Sequence, residues 1–372
     1  MSLQFMQLHH WDDQKIQEMI DLKQKIHGDL PTYFPEDLKD YKKLLHPNSP
    51  FSADYQWVGF MVYQNGDLVA KAILSWRNKS KIGNLGFIDW IQDENVAILM
   101  IQKIETFAKS IGINQIKTPV DINFFVRYRI RSFSSGPAYF GEPIYPDYYH
   151  HLFLTAGFKI IGTWDTFLIK RFSSFLNFMT KRKKLKERKH SHDEAVTVRC
   201  INFSKWDEEL KIVYDLFLKS FNQMTEFESI TFEQFKLIYD DFRYVAHPLT
   251  SYIVELNGTP VGFSINYPDP LEKLSLVKNK TLNKWQKVLL LAKLRLNFKT
   301  LLMPYMGKVS GPNGEEIKGV FIKVSKRLSL AVLCCQKALV CYQSPDSPSR
   351  RPLDPELITP YAQYVLYGKN LE

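Results

Sequence analysis

Tyr63-Gln64-Asn65-Gly66-Asp67-Leu68-Val69-Ala70 returns later in the chain as Glu255-Leu256-Asn257-Gly258-Thr259-Pro260-Val261-Gly262. An Asn-Gly pair between β-rich runs is the strongest short-range signal for a hairpin, because both residues tolerate the positive φ of a type I′ turn. The two pairs lie 192 positions apart, and Trp11-Asp12-Asp13 is separated from Trp206-Asp207-Glu208 by 195. So long a period is too large for a solenoid or propeller and describes a duplicated domain. With 372 residues, each half has the length of an ordinary domain, ~100 to 200 residues. The expected organisation is a first domain over 1–175, a basic linker over 176–195, and a second domain over 196–372 carrying an insertion at 268–316.

Hydrophobic residues make up 45% of the chain and aromatics 14%, ample for packed layers and too much for a disordered protein. No run approaches the ~20 apolar residues of a spanning helix. His9, His10, Asp12 and Asp13 stand where a signal peptide is apolar, so a cytoplasmic protein is expected. Cys334, Cys335 and Cys341 lack the spacing of a disulfide framework or zinc site, predicting reduced structural thiols and no metal. The net charge of +10 is concentrated in Lys181, Arg182, Lys183, Lys184, Lys186, Arg188 and Lys189. That block reads as a solvated linker, with contact to an anionic surface as the alternative. It lacks the interleaved aromatics that single-stranded nucleic acid needs, so no specific nucleic-acid partner is expected.

Along the first half, Asp12 can cap a helix reaching Ile26, followed by a short charged helix over 36–45. Strands are expected over 57–63 and 68–76, then over 84–91. A helix over 95–111 ends at Gly112, a strand over 113–118 follows, a helix starts near Asp147, and one or two strands fill 158–170. Consecutive strands that later alternate with helices imply an α/β fold with a mixed central sheet flanked by helices.

This order, the hairpin, and Ala156-Gly157-Phe158 at the end of the last helix resemble the GNAT superfamily, the GCN5-related N-acetyltransferases. Phe87-Ile88-Asp89, Thr118-Pro119-Val120-Asp121-Ile122-Asn123 and Tyr145-Pro146-Asp147-Tyr148-Tyr149 are similar to a group of tandem GNAT-like proteins. The resemblance implies two tandem GNAT-like domains and a cofactor, acetyl-CoA or another acyl-CoA, whose pyrophosphate lies on a Gln/Arg-x-x-Gly-x-Gly/Ala turn at a helix start. Unpaired N–H groups there face the anion. In the second half the matching residues are Val324, Lys326, Arg327, Leu328, Ser329, Leu330 and Ala331, with Ser329 in place of the central glycine. In the first half Gln92-Asp93-Glu94-Asn95 has no glycine and two carboxylates, which should repel the cofactor.

The resemblance also implies a tyrosine acid five positions before the Phe of the terminal Gly-Phe, where the first half has Phe153. In the second half Tyr361 and Tyr364 are the candidate acids, with Tyr342 and Tyr367 behind them, although alternation there equally describes a strand. On a strand Arg127, Arg129 and Arg131 would share one face, whereas on a helix Arg127 and Arg131 would pair and Arg129 would diverge; either arrangement is a candidate substrate-side grip on carboxylate or phosphate. Residues 282–298 read as a basic amphipathic helix, packed on a domain or laid on a membrane surface. The expected activity is acyl-CoA-dependent N-acyltransfer to a small-molecule or peptide amine. The alternative is a catalytically inactive GNAT-like binding protein.

Overall fold

The computed structural model describes residues 3–30, 33–174, 176, 196–222, 227–274, 286, 289–290, 293, 298–309, 323–324, 328, 335–345 and 357–371. Two compact units emerge. The first comprises Met1–Ser134, Gly141–Thr163 and Gln363–Glu372, and the second Ser135–Phe140 and Trp164–Ala362. No single cut of the sequence makes them, because each unit includes a strand segment from the other half.

In the first unit β1 (Leu3–Leu8), β2 (Tyr55–Gln64), β3 (Asp67–Arg77) and β4 (Ile82–Trp90) pair antiparallel in that order, and β5 (Gln115–Thr118) then pairs parallel with β4. Beyond β5 lies the chain's last segment, with Tyr367 to Asn370 antiparallel to Thr118 to Gln115. The sheet is therefore mixed, as the element order implied. Helix α1 (Asp13–His27) is capped by Asp12, whose side chain accepts from the Lys15 N–H, and buries Ile16, Met19 and Ile20. Helix α2 (Leu38–Leu45) starts with a capping box between Asp37 and Asp40. α1 packs on β3 and β4, while α3 (Glu94–Ser110) packs with α4 (Tyr148–Thr155) over the core containing Phe60, Ala70, Ala72, Leu85 and Trp90.

The second unit repeats this order. β10 (Val196–Cys200), β11 (Tyr252–Leu256), β12 (Thr259–Pro268) and β13 (Thr300–Lys308) are antiparallel, and β14 (Lys337–Gln343) is parallel to β13. β14 is then flanked by the end of β9 (Lys159–Ile169), Ala338 to Val340 pairing with Ile169 to Phe167. Helices α5 (Trp206–Phe221), α6 (Phe232–Tyr239) and α7 (Phe242–Val245) follow β10.

The repeat extends to irregularities. Asn65 and Gly66 have φ of 54° and 91°, and Asn257 and Gly258 have 50° and 77°, as a type I′ turn requires. The register slips between Val62 and Tyr63 in one hairpin and between Val254 and Glu255 in the other, again 192 positions apart. The fourth strand of each unit also bulges: Lys71 and Ile73 face Asp89 and Gly86, while Ile265 and Tyr267 face Tyr305 and Leu302. An extra residue of this kind reverses the side-chain phase beyond it.

The turn proposed for the cofactor lies outside the described residues at Lys326, Arg327, Ser329, Leu330 and Ala331. Its described members, Val324 and Leu328, pack against a core formed by Val254, Leu301, Met303 and Ala338. The 181–189 block and nearly all of the 282–298 segment also lie outside. Among the described residues, no helix is long and apolar enough to cross a membrane, and Cys335 and Cys341 are buried free thiols.

Candidate functional site

The bulge on β4 decides what the first unit holds on its α1 face. Phe87 takes a left-handed φ of 48°, its N–H donating to Asp121 Oδ1 at 2.6 Å, and the phase change turns Asp89 away from the core side of Ile88 and Trp90. Lys71, between Ala70 and Ala72, points the same way as its register partner Asp89. Their charges meet: Lys71 Nζ is 2.7 Å from Asp89 Oδ2, with side chains 0% and 2% exposed. His27, the last residue of α1, places Nε2 2.6 Å from Asp89 Oδ1. An ionised carboxylate only accepts, so this nitrogen is the donor. Lys71 also donates to Tyr41 of α2 at 3.1 Å.

Burial alone would raise the Asp89 carboxyl, but Lys71 and the hydrogen bond from His27 outweigh it and hold its pKa at about 2. A base for an ammonium acceptor works best with a pKa near the operating pH. Asp89 is thus locked as the anion of a buried ion pair and is a feeble proton acceptor. Beside it, Lys23 pairs with Glu36, and burial followed by the nearby Arg127 lowers its affinity for a proton.

The three arginines do not lie on one unbroken strand. Arg129 has a φ of 70° and interrupts the run between β7 (Arg127–Tyr128) and β8 (Ile130–Ser134). Arg127 binds Asp121 at 2.5 Å and lies 3.8 Å from Glu36; Arg131 is 3.3 Å from Glu142; the Arg129 guanidinium sits 4.1 Å from the centre of the Tyr128 ring. Arg127 and Arg131 would have to exchange these carboxylates to grip an incoming anion.

The start of α3 is closed to an anion by its own cap. Asp93 accepts from the N–H groups of Asn95 and Val96 at 2.9 and 3.3 Å, and Glu94 lies 2.7 Å from His151. Donors that would face a phosphate already face a carboxylate. Tyr148 and Tyr149 bind the C=O and N–H of Trp90 at 2.6 and 3.2 Å. Phe153 is fully buried.

The tyrosines of the last strand are engaged too. Tyr361 donates to the Pro137 carbonyl at 2.5 Å in the second unit, and Tyr364 to Glu142 Oε1 at 2.8 Å in the first. Tyr367 lies 2.8 Å from His150 Nδ1, whose Nε2 faces the Arg131 carbonyl at 2.9 Å. A carbonyl only accepts, so Nε2 carries the proton and, in the neutral ring, Tyr367 donates to Nδ1. An acid must be free to reach a leaving group, and both Tyr361 and Tyr364 are spoken for in this arrangement.

The helix-facing side of the second unit differs. Trp206, Leu210, Val213 and Phe217 form one stripe of α5 over Phe263 and Ile265 of β12 and Tyr305 of β13, enclosing an apolar cavity of about 20 Å³. Sequence reading located neither this cavity nor the Lys71–Asp89 pair. The available signals were a lysine inside Val69-Ala70-Lys71-Ala72-Ile73 and the alternating four- and three-residue spacing of the stripe.

No family model matches the chain. Protein YghO of Escherichia coli (strain K12) is 23% identical over 294 residues, spanning 76% of this chain and 73% of that protein. Among solved structures, a tandem GNAT protein from the clavulanic acid biosynthesis pathway superposes with a TM-score of 0.53 at 11% identity, covering 100% of this chain and 99% of the other. A GCN5-related N-acetyltransferase from Anabaena variabilis ATCC 29413 gives a TM-score of 0.54 at 10% identity, covering 99% and 73%.

Proposed function

We propose that this chain, which has the tandem GNAT fold, is an acyl-CoA-dependent N-acyltransferase in which only the second unit holds the cofactor, on the turn from Val324 to Ala331. The bound thioester would supply the acyl group. The acceptor nitrogen loses a proton and bonds to the acyl carbonyl carbon, the carbon–sulfur bond breaks, and the thiolate takes up a proton. The carrying observation is that Asp93 fills the N-terminus of α3 with its own carboxylate, whereas the matching stretch of the second half carries Lys326 and Arg327 in its sequence. The ion pair that suppresses Asp89 as a base fits a first unit without chemistry of its own.

Acetyl-CoA should raise the thermal midpoint. A ligand at 100 times its Kd adds ~2.7 kcal/mol. Lys326→Glu should abolish the shift and Asp93→Ala should leave it intact. A shift that survives Lys326→Glu and is lost in Asp93→Ala would move the cofactor to the first unit. The engaged hydroxyls of Tyr361 and Tyr364 favour the second reading, a catalytically inactive GNAT-like binding protein, and no shift at any concentration would establish it over transfer.

A further inference from the structure

Two charged side chains at the rim of the first unit's polar cluster each keep one position open, and the two face each other. Glu36 holds Lys23 through Oε1, while Oε2 has no hydrogen-bond partner among the described residues. Arg127 donates from Nε to Asp121 Oδ2 at 2.6 Å and sets Nη2 2.5 Å from the same oxygen. Its Nη1 is left 3.8 Å from Glu36 Oε1, beyond hydrogen-bond reach. The Glu36 and Arg127 side chains are 24% and 37% exposed, whereas those of Lys23 and Asp121 are 9% and 1%. The loosest ion pair of the cluster is therefore the one that solvent reaches.

Two phenols in the same cluster also have unused capacity. Tyr33 is 8% exposed, and its buried hydroxyl makes no hydrogen bond among the described residues. Burial first, then Glu36 and Asp89, push its pKa up to about 12, so it keeps its proton and can donate. The Glu36 backbone lies close enough to act on this hydroxyl electrostatically without closing a hydrogen bond. Tyr145 is partly buried, and burial followed by the Asp121 carboxylate raises its pKa as well. Both rings lie against His27, at 6.4 and 5.7 Å centre to centre. A phenol O–H left buried and unpaired costs stability, and a bound acceptor would remove that cost.

Charge selects what can enter. Lys23, Lys71 and Arg127 stand against Glu36, Asp89 and Asp121, three charges of each sign. A ligand of net charge would leave one charge unbalanced in a partly desolvated place. A ligand carrying both signs would not. Its ammonium can take Glu36 Oε2 and its carboxylate Arg127 Nη1, displacing only the 3.8 Å contact and leaving Lys23 and Asp121 with their present partners.

We infer that this loose ion pair of the first unit binds a small α-amino acid as its zwitterion, the ammonium on Glu36, the carboxylate on Arg127, and a polar side group accepting from the Tyr33 hydroxyl. An ammonium held by a carboxylate keeps its proton, and Asp89 is too weak a base to remove it, so the site binds without chemistry. The inference stands apart from the transferase reading.

L-Serine is the probe. 3-Hydroxypropionate and ethanolamine are matched controls that each lack one of its charges, and L-alanine lacks its hydroxyl. In isothermal titration of the full chain without cofactor, L-serine should bind at least about tenfold more tightly than either singly charged control, because each control forfeits a hydrogen bond between charged groups. Glu36→Gln should remove that preference. Tyr33→Phe deletes only an unpaired hydroxyl, so it should leave the urea midpoint of the free protein undiminished while erasing the advantage of L-serine over L-alanine. No binding of L-serine, equal affinity for L-serine and either control, or an L-serine affinity unmoved in both variants would overturn the site. Should Glu36→Gln fail to fold because it strands Lys23, Tyr33→Phe still decides, since an intact advantage of L-serine over L-alanine in that variant counts against the site.

Discussion

Lys71 and Asp89 in the first unit occupy the positions that Phe263 and Gly307 occupy in the second, counted from the Asn-Gly turns and read across the register. Counted from the bulge, the partners are instead Ile265 and Tyr305. By either count a buried ion pair in one copy answers to uncharged, ring-rich packing in the other. At Gly307 the replacement is close: a β-carbon added there would lie 2.5 Å from the Phe263 ring, so the ring fills space that the Asp89 side chain occupies in the first unit. One backbone plan thus supports two kinds of interior. The ionic version binds its own polar groups to one another, and the aromatic version leaves a cavity.

Gly307→Asp should have the largest effect of any substitution that breaks this contrast. It places a carboxylate against Phe263 with no cation beside it, combining a buried unpaired charge with overpacking. A loss of about 4 to 6 kcal/mol in urea unfolding is expected. Phe263→Lys combined with Gly307→Asp should recover part of that loss; a double variant no better than the single would show that the two frames are not interchangeable here.

Asp89→Ala comes next, at about 3 to 5 kcal/mol, because it strands Lys71 in the interior. Lys71→Met with Asp89→Asn should be much milder, since neither charge is left without a partner. If the pair and the single cost the same, the ion pair is not what holds that face together.

Acid should separate the units by a smaller margin. Asp89 has a pKa of about 2 in the folded chain against an ordinary 3.8. A depressed carboxyl contributes its full stability above about pH 4 and loses it as pH falls through 2. The difference is worth about 2 kcal/mol. Wild type should therefore lose that increment between pH 4 and pH 2, and the Lys71→Met, Asp89→Asn double variant should not lose it.

The repeated architecture was legible because turns and helix starts are written locally. Asn65-Gly66 and Asn257-Gly258 each specify their conformation within two residues, and Asp12 caps the helix it begins. The closing strand of each unit was not legible: alternation over Tyr361 to Tyr367 identifies a strand but carries no information about its neighbour, and Tyr367 pairs with Thr118. The same limit applies to the sites. Asp89 was part of the quoted resemblance, yet its role depends on Lys71 and on His27, 62 positions away. The arginines do not sit on one unbroken strand because Arg129 is left-handed, a local conformation that no alternation rule foresees.

The hairpins supply the smallest and most symmetrical effect. Gly66 and Gly258 both have positive φ, and a β-carbon at either would meet nothing within 4 Å. Substitution there is opposed by backbone conformation alone, with no packing contribution to distinguish the units. Gly66→Ala and Gly258→Ala should each cost about 1 kcal/mol, equal within error in urea unfolding. Equality would follow from a turn kept unchanged while the interiors diverged. A clear inequality would mean that the divergence reaches the backbone frame itself, and the position-by-position match of Lys71 with Phe263 would lose its basis.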